Sequence, residues 1–126
     1  MKRDSHKEKA LRIERSLAKC GPDDFEIRIE AAMLAGTHWL NLALHAMGAT
    51  RDDQDVLHTY MLTVNEYRRL SVADARLIGL LSEIEDLRPL YVRGDVPGGR
   101  EMADRAGGRL AQIRAIALAA AGTAAR

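Results

Sequence analysis

Residues 31–47 read AAMLAGTHWLNLALHAM, and this stretch decides the fold. Alanine, methionine, leucine and Trp39 fill 12 of its 17 positions, and no charged residue occurs from Ala31 to Thr50. A helix that is apolar around most of its circumference has to be covered by protein. The run is long enough to suggest a membrane span, but it contains polar residues, His38 and His45 among them. We therefore expect a buried central helix, or one half of a subunit interface.

The residues before this run predict a first helix and the start of the second. Apolar side chains recur at three-and-four spacing within residues 2–19, which indicates one helical stripe. The stripe consists of Ala10, Ile13, Leu17 and Cys20. Gly21-Pro22-Asp23 combines a helix-ending glycine with a candidate N-cap, so the second helix should start near Asp23 and run to Met47.

Three further helices are predicted beyond Gly48. A third should begin at Asp52 or Asp53. Its apolar stripe would be Leu57, Tyr60, Met61, Val64 and Leu70. Ser71 and Asp74 resemble a capping box that opens a fourth helix, which Pro89 should end or kink near Leu87 or Arg88. A fifth helix follows the glycine-rich loop 93–99, and its Gly107-Gly108 pair implies either a bend or a close helix neighbour.

No segment alternates apolar and polar residues as a half-buried strand would. The pattern predicts an all-α, up-and-down bundle of about five helices. The length of 126 residues fits a single domain, 1–126, and we expect its ends, residues 1–5 and 119–126, to fray.

Charge and cysteine content restrict the class of protein. Nineteen Lys and Arg against 18 Asp and Glu give a net charge of +1, which argues against a protein that binds nucleic acid mainly through phosphates. The basic residues concentrate in 1–19, which is either a solvated helix face or a dock for a polyanion. Cys20 is the single cysteine, and the opening residues are charged rather than apolar. We expect a cytoplasmic protein that is not embedded in a membrane.

His38, Asn41 and His45 share one side of the second helix and are the first candidate ligand-binding residues. Such a face can line a cleft, bind a metal or hold a phosphate, or it can simply be the polar side of the helix. Without a cysteine or carboxylate on the same turn the ligand set is incomplete. The sequence therefore predicts no metal site and no cofactor.

Arg51 and His58 are the candidate catalytic residues. On a continuous third helix they would share a side with Asn65, and an arginine with a titrating imidazole can act on a phosphodiester. The arginine can equally well cap or solvate the helix start. Asp55 and His58 form one carboxylate–imidazole pair, whereas a di-metal bundle needs a second pair that the sequence lacks.

The order of segments resembles the HEPN family of small helical bundles, over roughly residues 20–118. The similarity lies in the Ala-rich helix AAMLAGTH (31–38), in His58, in LRPLY (87–91), and in the 93–99 loop with the Ala-rich helix after it. The resemblance implies a helical bundle that dimerises. It also implies partners such as nucleotidyltransferases and a setting in toxin–antitoxin systems.

Catalytically active members of that family carry an arginine followed a few residues later by a histidine near the start of the last helix. Here Arg100 is followed at that spacing by Arg105, and no histidine occurs after His58. We therefore expect a non-catalytic HEPN-like binding protein. It would act as a homodimer or as the partner of another protein, and a nucleotide or RNA is its candidate ligand. The alternative is a metal-independent ribonuclease of toxin type. The sequence does not identify ligand, partner or pathway.

Overall fold

The structure, a computed structural model, describes residues 1–124, and over that range its regular secondary structure is helical, with no strand. It confirms the predicted all-α bundle. Residues 59–61 add a 3₁₀ turn and residues 88–92 a π-helical turn. The α-helices are α1 (Arg3–Leu17), α2 (Phe25–Ala46), α3 (Val64–Ala73), α4 (Leu77–Asp86) and α5 (Gly99–Ala124).

Helix α2 is the centre of the molecule, as its apolar sequence predicts. Trp39, Leu40 and Leu44 are completely buried, and α1, α4 and α5 all pack against α2. Gly36 permits the close approach of α4 and α5, since a Cβ atom there would lie 3.3 Å from Leu81 Cδ1. One chain thus covers most of α2 by itself. A subunit interface is not needed to bury this helix.

Helix α1 is attached to the bundle by an apolar contact and by a polar one. Ala10 is fully buried, and Trp39 donates a 2.6 Å hydrogen bond from Nε1 to Glu14 Oε2. Arg114 of α5 pairs with the other oxygen of the same carboxylate. Glu14 therefore joins α1, α2 and α5 through one side chain.

The prediction of a helix starting at Asp52 or Asp53 is wrong. Residues 51–58 form an irregular loop, and α3 starts only at Val64. Thr63 fixes this start through a capping box, since its hydroxyl accepts from the Glu66 N–H while Glu66 Oε1 accepts from the Thr63 N–H, both at 3.1 Å. The helix thus starts about eleven positions after Asp52, the first predicted start. The predicted apolar stripe from Leu57 to Leu70 therefore does not lie on one helix.

The predicted Ser71–Asp74 capping box is also wrong. Ser71 lies within α3, and Asp74 follows the end of that helix. The Asp74 carboxylate instead accepts hydrogen bonds from the backbone N–H groups of Arg76 at 2.8 Å and Leu77 at 3.2 Å. Asp74 therefore stabilises the first turn of α4 without Ser71.

The C-terminal half agrees better with its prediction. Helix α4 ends at Asp86, and Pro89 lies in the π-helical turn that follows. Gly107 and Gly108 face open space within α5, so neither glycine marks a close helix neighbour. Helix α1 begins at Arg3 and α5 continues to Ala124, and the fraying expected for residues 1–5 and 119–126 stays a prediction. Residues 125 and 126 lie outside the described residues.

Among the helices of residues 1–124, none combines the length and the apolar character that crossing a membrane requires.

Candidate functional site

Three polar residues of α2 lie on one side of the helix, as their spacing predicts, and two of them contact α1 or the 51–58 loop through histidine rings. His38 Nδ1 lies 2.9 Å from Nδ1 of His6 in α1. The His45 ring is almost completely buried and lies 2.9 Å, through Nε2, from Asp55 Oδ1. The polar side of α2 is therefore an internal network and not a solvated face.

Asp55 is the residue on which the network converges. Its Oδ1 accepts from His6 Nε2 and from His45 Nε2, each at 2.9 Å, and its Oδ2 lies 3.1 Å from the Met1 amino nitrogen. Partial burial by itself raises the pKa of the Asp55 carboxyl, but the hydrogen bonds from His6, the amino group and His45 outweigh it and lower that pKa. Asp55 is an anionic acceptor at neutral pH.

His6 and His38 are neutral at neutral pH, because the folded protein lowers the pKa of both rings. Burial lowers the pKa of His6, against the opposing effect of the hydrogen bond that His6 donates to Asp55. Burial, together with the charges of His6, Lys9 and Arg12, lowers the pKa of His38 to about 4. The hydrogen bonds assign the protons: with Asp55 as acceptor, His6 and His45 each carry a proton on Nε2 and accept at Nδ1.

Both Nδ1 atoms have a partner of their own. His45 Nδ1 lies 2.6 Å from Thr50 Oγ1, and His6 Nδ1 is met by His38. A hydroxyl and an imidazole can each either donate or accept a hydrogen bond. The two Nδ1 contacts are therefore preserved whichever ring nitrogen of His6 and His45 holds the proton.

Asn41 fixes the loop that carries Asp55. Its Oδ1 accepts from the Val56 N–H at 2.7 Å, and its Nδ2 donates to Val56 O at 2.8 Å and to Thr37 O at 2.9 Å. An amide side chain that pairs with both backbone groups of Val56 replaces the hydrogen bonds of a helix at that residue. This pairing explains both why the loop is not helical and why Asp55 reaches α2.

Sequence reasoning missed His6, and it paired Asp55 with His58 and not with His6 and His45. His6 continues the Ala10–Ile13–Leu17 stripe by one turn, and that spacing was the available signal. No spacing linked Asp55 to the histidines of α2, because it lies in a loop whose path depends on Asn41. The reason for expecting no metal site, the lack of a carboxylate near the histidines, does not hold once the chain is folded.

Arg51 and His58 are not two residues of one helix. Both lie in the 51–58 loop and have different partners: the exposed Arg51 Nε pairs with Asp53 at 3.2 Å, whereas His58 Nδ1 lies 2.7 Å from Glu85 Oε2. Asp55 and His58 likewise belong to separate clusters. The predicted pairing of Arg51 with His58 therefore lacks its helical basis.

Glu85 of α4 organises a second polar cluster. Its buried carboxylate accepts from the Thr59 N–H at 3.1 Å, from the Thr59 hydroxyl and from His58. The ring of Tyr60 stacks on the His58 ring with centroids 4.8 Å apart. Glu85 orients His58 through Nδ1, which leaves Nε2 of a partly exposed imidazole directed away from the carboxylate.

A run of large apolar side chains is exposed between residues 57 and 72, and we call it the 57–72 surface. Each of its members is between 47% and 87% exposed. They are Leu57, Tyr60, Met61, Val64, Tyr67 and Val72. Leu57 and Met61 also line a cavity of about 300 Å³ together with Glu66 and Arg69 of α3.

The basic first helix borders a separate cavity of about 560 Å³, at the start of α1 and the end of α5. Lys2, Arg3 and Lys7 line it, but so do the acids Asp4 and Asp52. The mixed charge of this lining gives no preference for an anion.

No protein-family model matches the chain, and neither the curated proteins nor the solved structures contain a significant match to it.

Proposed function

We propose that this protein is a non-catalytic, HEPN-like interaction module that works as a homodimer, with the 57–72 surface as the contact between two copies. The observation that carries the proposal is the small burial of α3. Of the ten residues in this helix, Leu70 is the one that is buried, while Val64, Tyr67 and Val72 are exposed.

The small burial of α3 favours a partner protein that packs against this helix. A helix of ten residues is marginal in water without tertiary contacts. Burying Leu70 contributes about 1.5–3 kcal/mol, and the capping box at Thr63 about 1 kcal/mol. A helix that presents its valines and a tyrosine to water gains more by packing them against a protein surface, because each apolar side chain buried adds a similar stabilisation.

A second copy of the chain fits this surface. Six side chains of this size present roughly 800 Å², which is about what each partner contributes to a standard protein interface. Tyrosine and methionine are enriched at the centres of such interfaces, and Tyr60, Met61 and Tyr67 supply them here. A net charge of +1 lets two copies approach with little repulsion, and a two-fold axis would cover the surface with itself.

The resemblance to HEPN bundles supports the same proposal from the sequence side. It implies dimerisation, and it leaves open a further protein partner or a nucleotide ligand. The dimer contact proposed here replaces the one expected on α2, because that helix is already covered within one chain.

The experiment compares two residues of equal exposure. Met61 and Ile27 are each 61% exposed, but Ile27 lies on α2, outside the 57–72 surface. We expect Met61→Lys to weaken self-association by at least about 100-fold, because it places an unpaired cation in an apolar contact of both copies. Ile27→Lys should leave self-association unchanged. Sedimentation velocity over a concentration series measures both, and equal effects of the two variants would refute the proposed interface.

A second candidate function is metal-independent RNA cleavage, and the Glu85–His58 pair favours it. A carboxylate that orients an imidazole through one nitrogen leaves the other nitrogen able to accept and return a proton. The test is incubation of the protein with single-stranded RNA in excess chelator. Our proposal predicts no cleavage. If the parent cuts RNA and His58→Ala does not, while His38→Ala still does, then the protein is a ribonuclease with His58 as its base.

A further inference from the structure

We infer that His6, His45 and Asp55 form a binding site for one divalent transition-metal ion of the zinc type. One ligand atom from each residue lies within 4.8 Å of the other two. The three residues come from α1, α2 and the 51–58 loop, so an ion at this point would join three separate parts of the chain. The inference does not rest on the proposed dimer contact, although Asp55 lines the same cavity as Leu57 and Met61.

The donor set is the one that zinc and its neighbours prefer. Two imidazole nitrogens and a carboxylate oxygen occur in catalytic zinc sites, where a solvent molecule takes the fourth position. Both histidine side chains are nearly fully buried, whereas Asp55 is partly exposed and leaves a route from solvent. Calcium and magnesium prefer an all-oxygen environment, which this site does not provide.

The distances require only small side-chain movements. The two nitrogen–oxygen separations are 2.9 Å. Ligand atoms around a tetrahedral zinc ion lie about 3.3 Å apart, given metal–ligand distances of roughly 2.0–2.1 Å. The nitrogen–oxygen separations at Asp55 therefore have to grow by a few tenths of an ångström, and the two ring nitrogens, at most 4.8 Å apart, have to approach by at most about 1.5 Å.

The proton balance of the site is its most specific feature. A metal ion needs the lone pair of Nε2, where His6 and His45 now carry a proton toward Asp55. Each ring keeps one proton if that proton moves to Nδ1. There Thr50 then accepts from His45 and His38 accepts from His6, with the His38 proton on its other nitrogen. When the metal binds, metal–ligand bonds replace the two N–H···O hydrogen bonds to Asp55. Both Nδ1 contacts remain, but Nδ1 of each ring now donates the hydrogen bond that it accepted before.

The first experiment measures binding of Zn²⁺ to chelator-treated protein by calorimetry, with two matched variants. Asp55→Asn keeps the size and the acceptor oxygen of the side chain but removes the anionic ligand. Asp53→Asn makes the same change two residues away on an exposed carboxylate. We expect one Zn²⁺ per parent chain. The dissociation constant should be at least about tenfold higher for Asp55→Asn and should not change for Asp53→Asn.

The second experiment uses the parent protein alone, so it stands if Asp55→Asn does not fold. Nitrogen-15 NMR of the histidine rings reports which nitrogen holds the proton. Zn²⁺ should move the proton of His6 and His45 from Nε2 to Nδ1, while His58 serves as the internal reference and does not change. Absence of stoichiometric binding, equal losses in the two variants, or a Zn²⁺ response at His58 without one at His6 and His45 would each overturn the site.

Discussion

Glu85 and Thr59 form a buried contact in which one carboxylate accepts from both the backbone N–H and the hydroxyl of the same residue, with the N–H at 3.1 Å from Oε1. This contact holds the segment before α3 on α4. Asn41 holds the 51–58 loop, which comes before this segment, through its hydrogen bonds with the backbone of Val56. The 57–72 surface is thus presented from a fixed position, which reduces the conformational entropy that a partner has to overcome.

Removing the Glu85 carboxylate should destabilise the fold. In Glu85→Ala the Thr59 N–H and hydroxyl lose their acceptor in a buried place, which costs about 2–4 kcal/mol. Glu83→Ala is the matched control, since Glu83 lies on the same helix but is more than half exposed and pairs with Arg109 at the surface. That control should cost at most about 1 kcal/mol. Urea unfolding of both variants checks the difference, and equal midpoints would contradict it.

Replacing Asn41 by Leu should release the 51–58 loop. Leucine has a similar volume but leaves the Val56 N–H and C=O without partners, at a cost of about 2–4 kcal/mol. Hydrogen exchange at the Val56 amide should become faster by a larger factor than exchange at the amides in the middle of α5. The α5 amides should change only as the global stability of the variant changes. If Val56 exchanges equally slowly in the variant, then Asn41 does not hold the loop.

Stability in the presence of chelator should fall as the pH drops from about 6.5 to about 4. Burial is the largest cause that lowers the pKa of His38 to about 4, and the charges of His6, Lys9 and Arg12 add to it. The negative charge of Asp55 acts in the opposite direction. Between this value and the ordinary 6.5 the unfolded chain binds more protons than the folded one, so acid favours unfolding. The loss should amount to about 2 kcal/mol.

The control for this pH effect is His38→Gln, which cannot take up a proton. Its stability should change less over the same interval. Asp55, whose pKa is lowered, adds its own loss only when the pH falls below 3.8, its usual pKa. Unfolding midpoints at pH 7 and pH 4.5 test this, and the same loss in parent and variant would show that His38 is not responsible.

The glycines within helices should respond in opposite directions to alanine. Gly107 faces open space in α5, so Gly107→Ala should stabilise the protein by about 0.5–1 kcal/mol through higher helix propensity. Gly36→Ala should destabilise it, since the new Cβ would press on Leu81 at 3.3 Å and on Ile113 at 3.5 Å. Thermal unfolding of the two variants gives the signs, and a destabilised Gly107→Ala would show that α5 needs the glycine.

The sequence predicted the fold class and the central helix because both depend on local periodicity. The run 31–47 is apolar enough that only burial suits it, and Pro89 ended α4 where its ring cannot continue a helix. Residues 51–62 were assigned wrongly for a physical reason. Their apolar spacing is compatible with a helix, but the Asn41–Val56 pairing, which joins residues distant in sequence, determines the backbone there.

The polar network was predicted only in part for the same reason. His38, Asn41 and His45 share a face by helix geometry, which a sequence shows directly. The meeting of this face with His6 and Asp55 depends on how α1 and the loop pack on α2. No spacing within a single sequence contains that information.

The molar mass of the parent protein in solution tests the central proposal most directly. Light scattering after gel filtration, over a range from micromolar to several hundred micromolar, should give twice the 13.9 kDa of one chain at the upper concentrations. Met61→Lys should remain at the mass of one chain under the same conditions. A parent mass of 13.9 kDa throughout this range would contradict the homodimer and leave the 57–72 surface without its proposed partner.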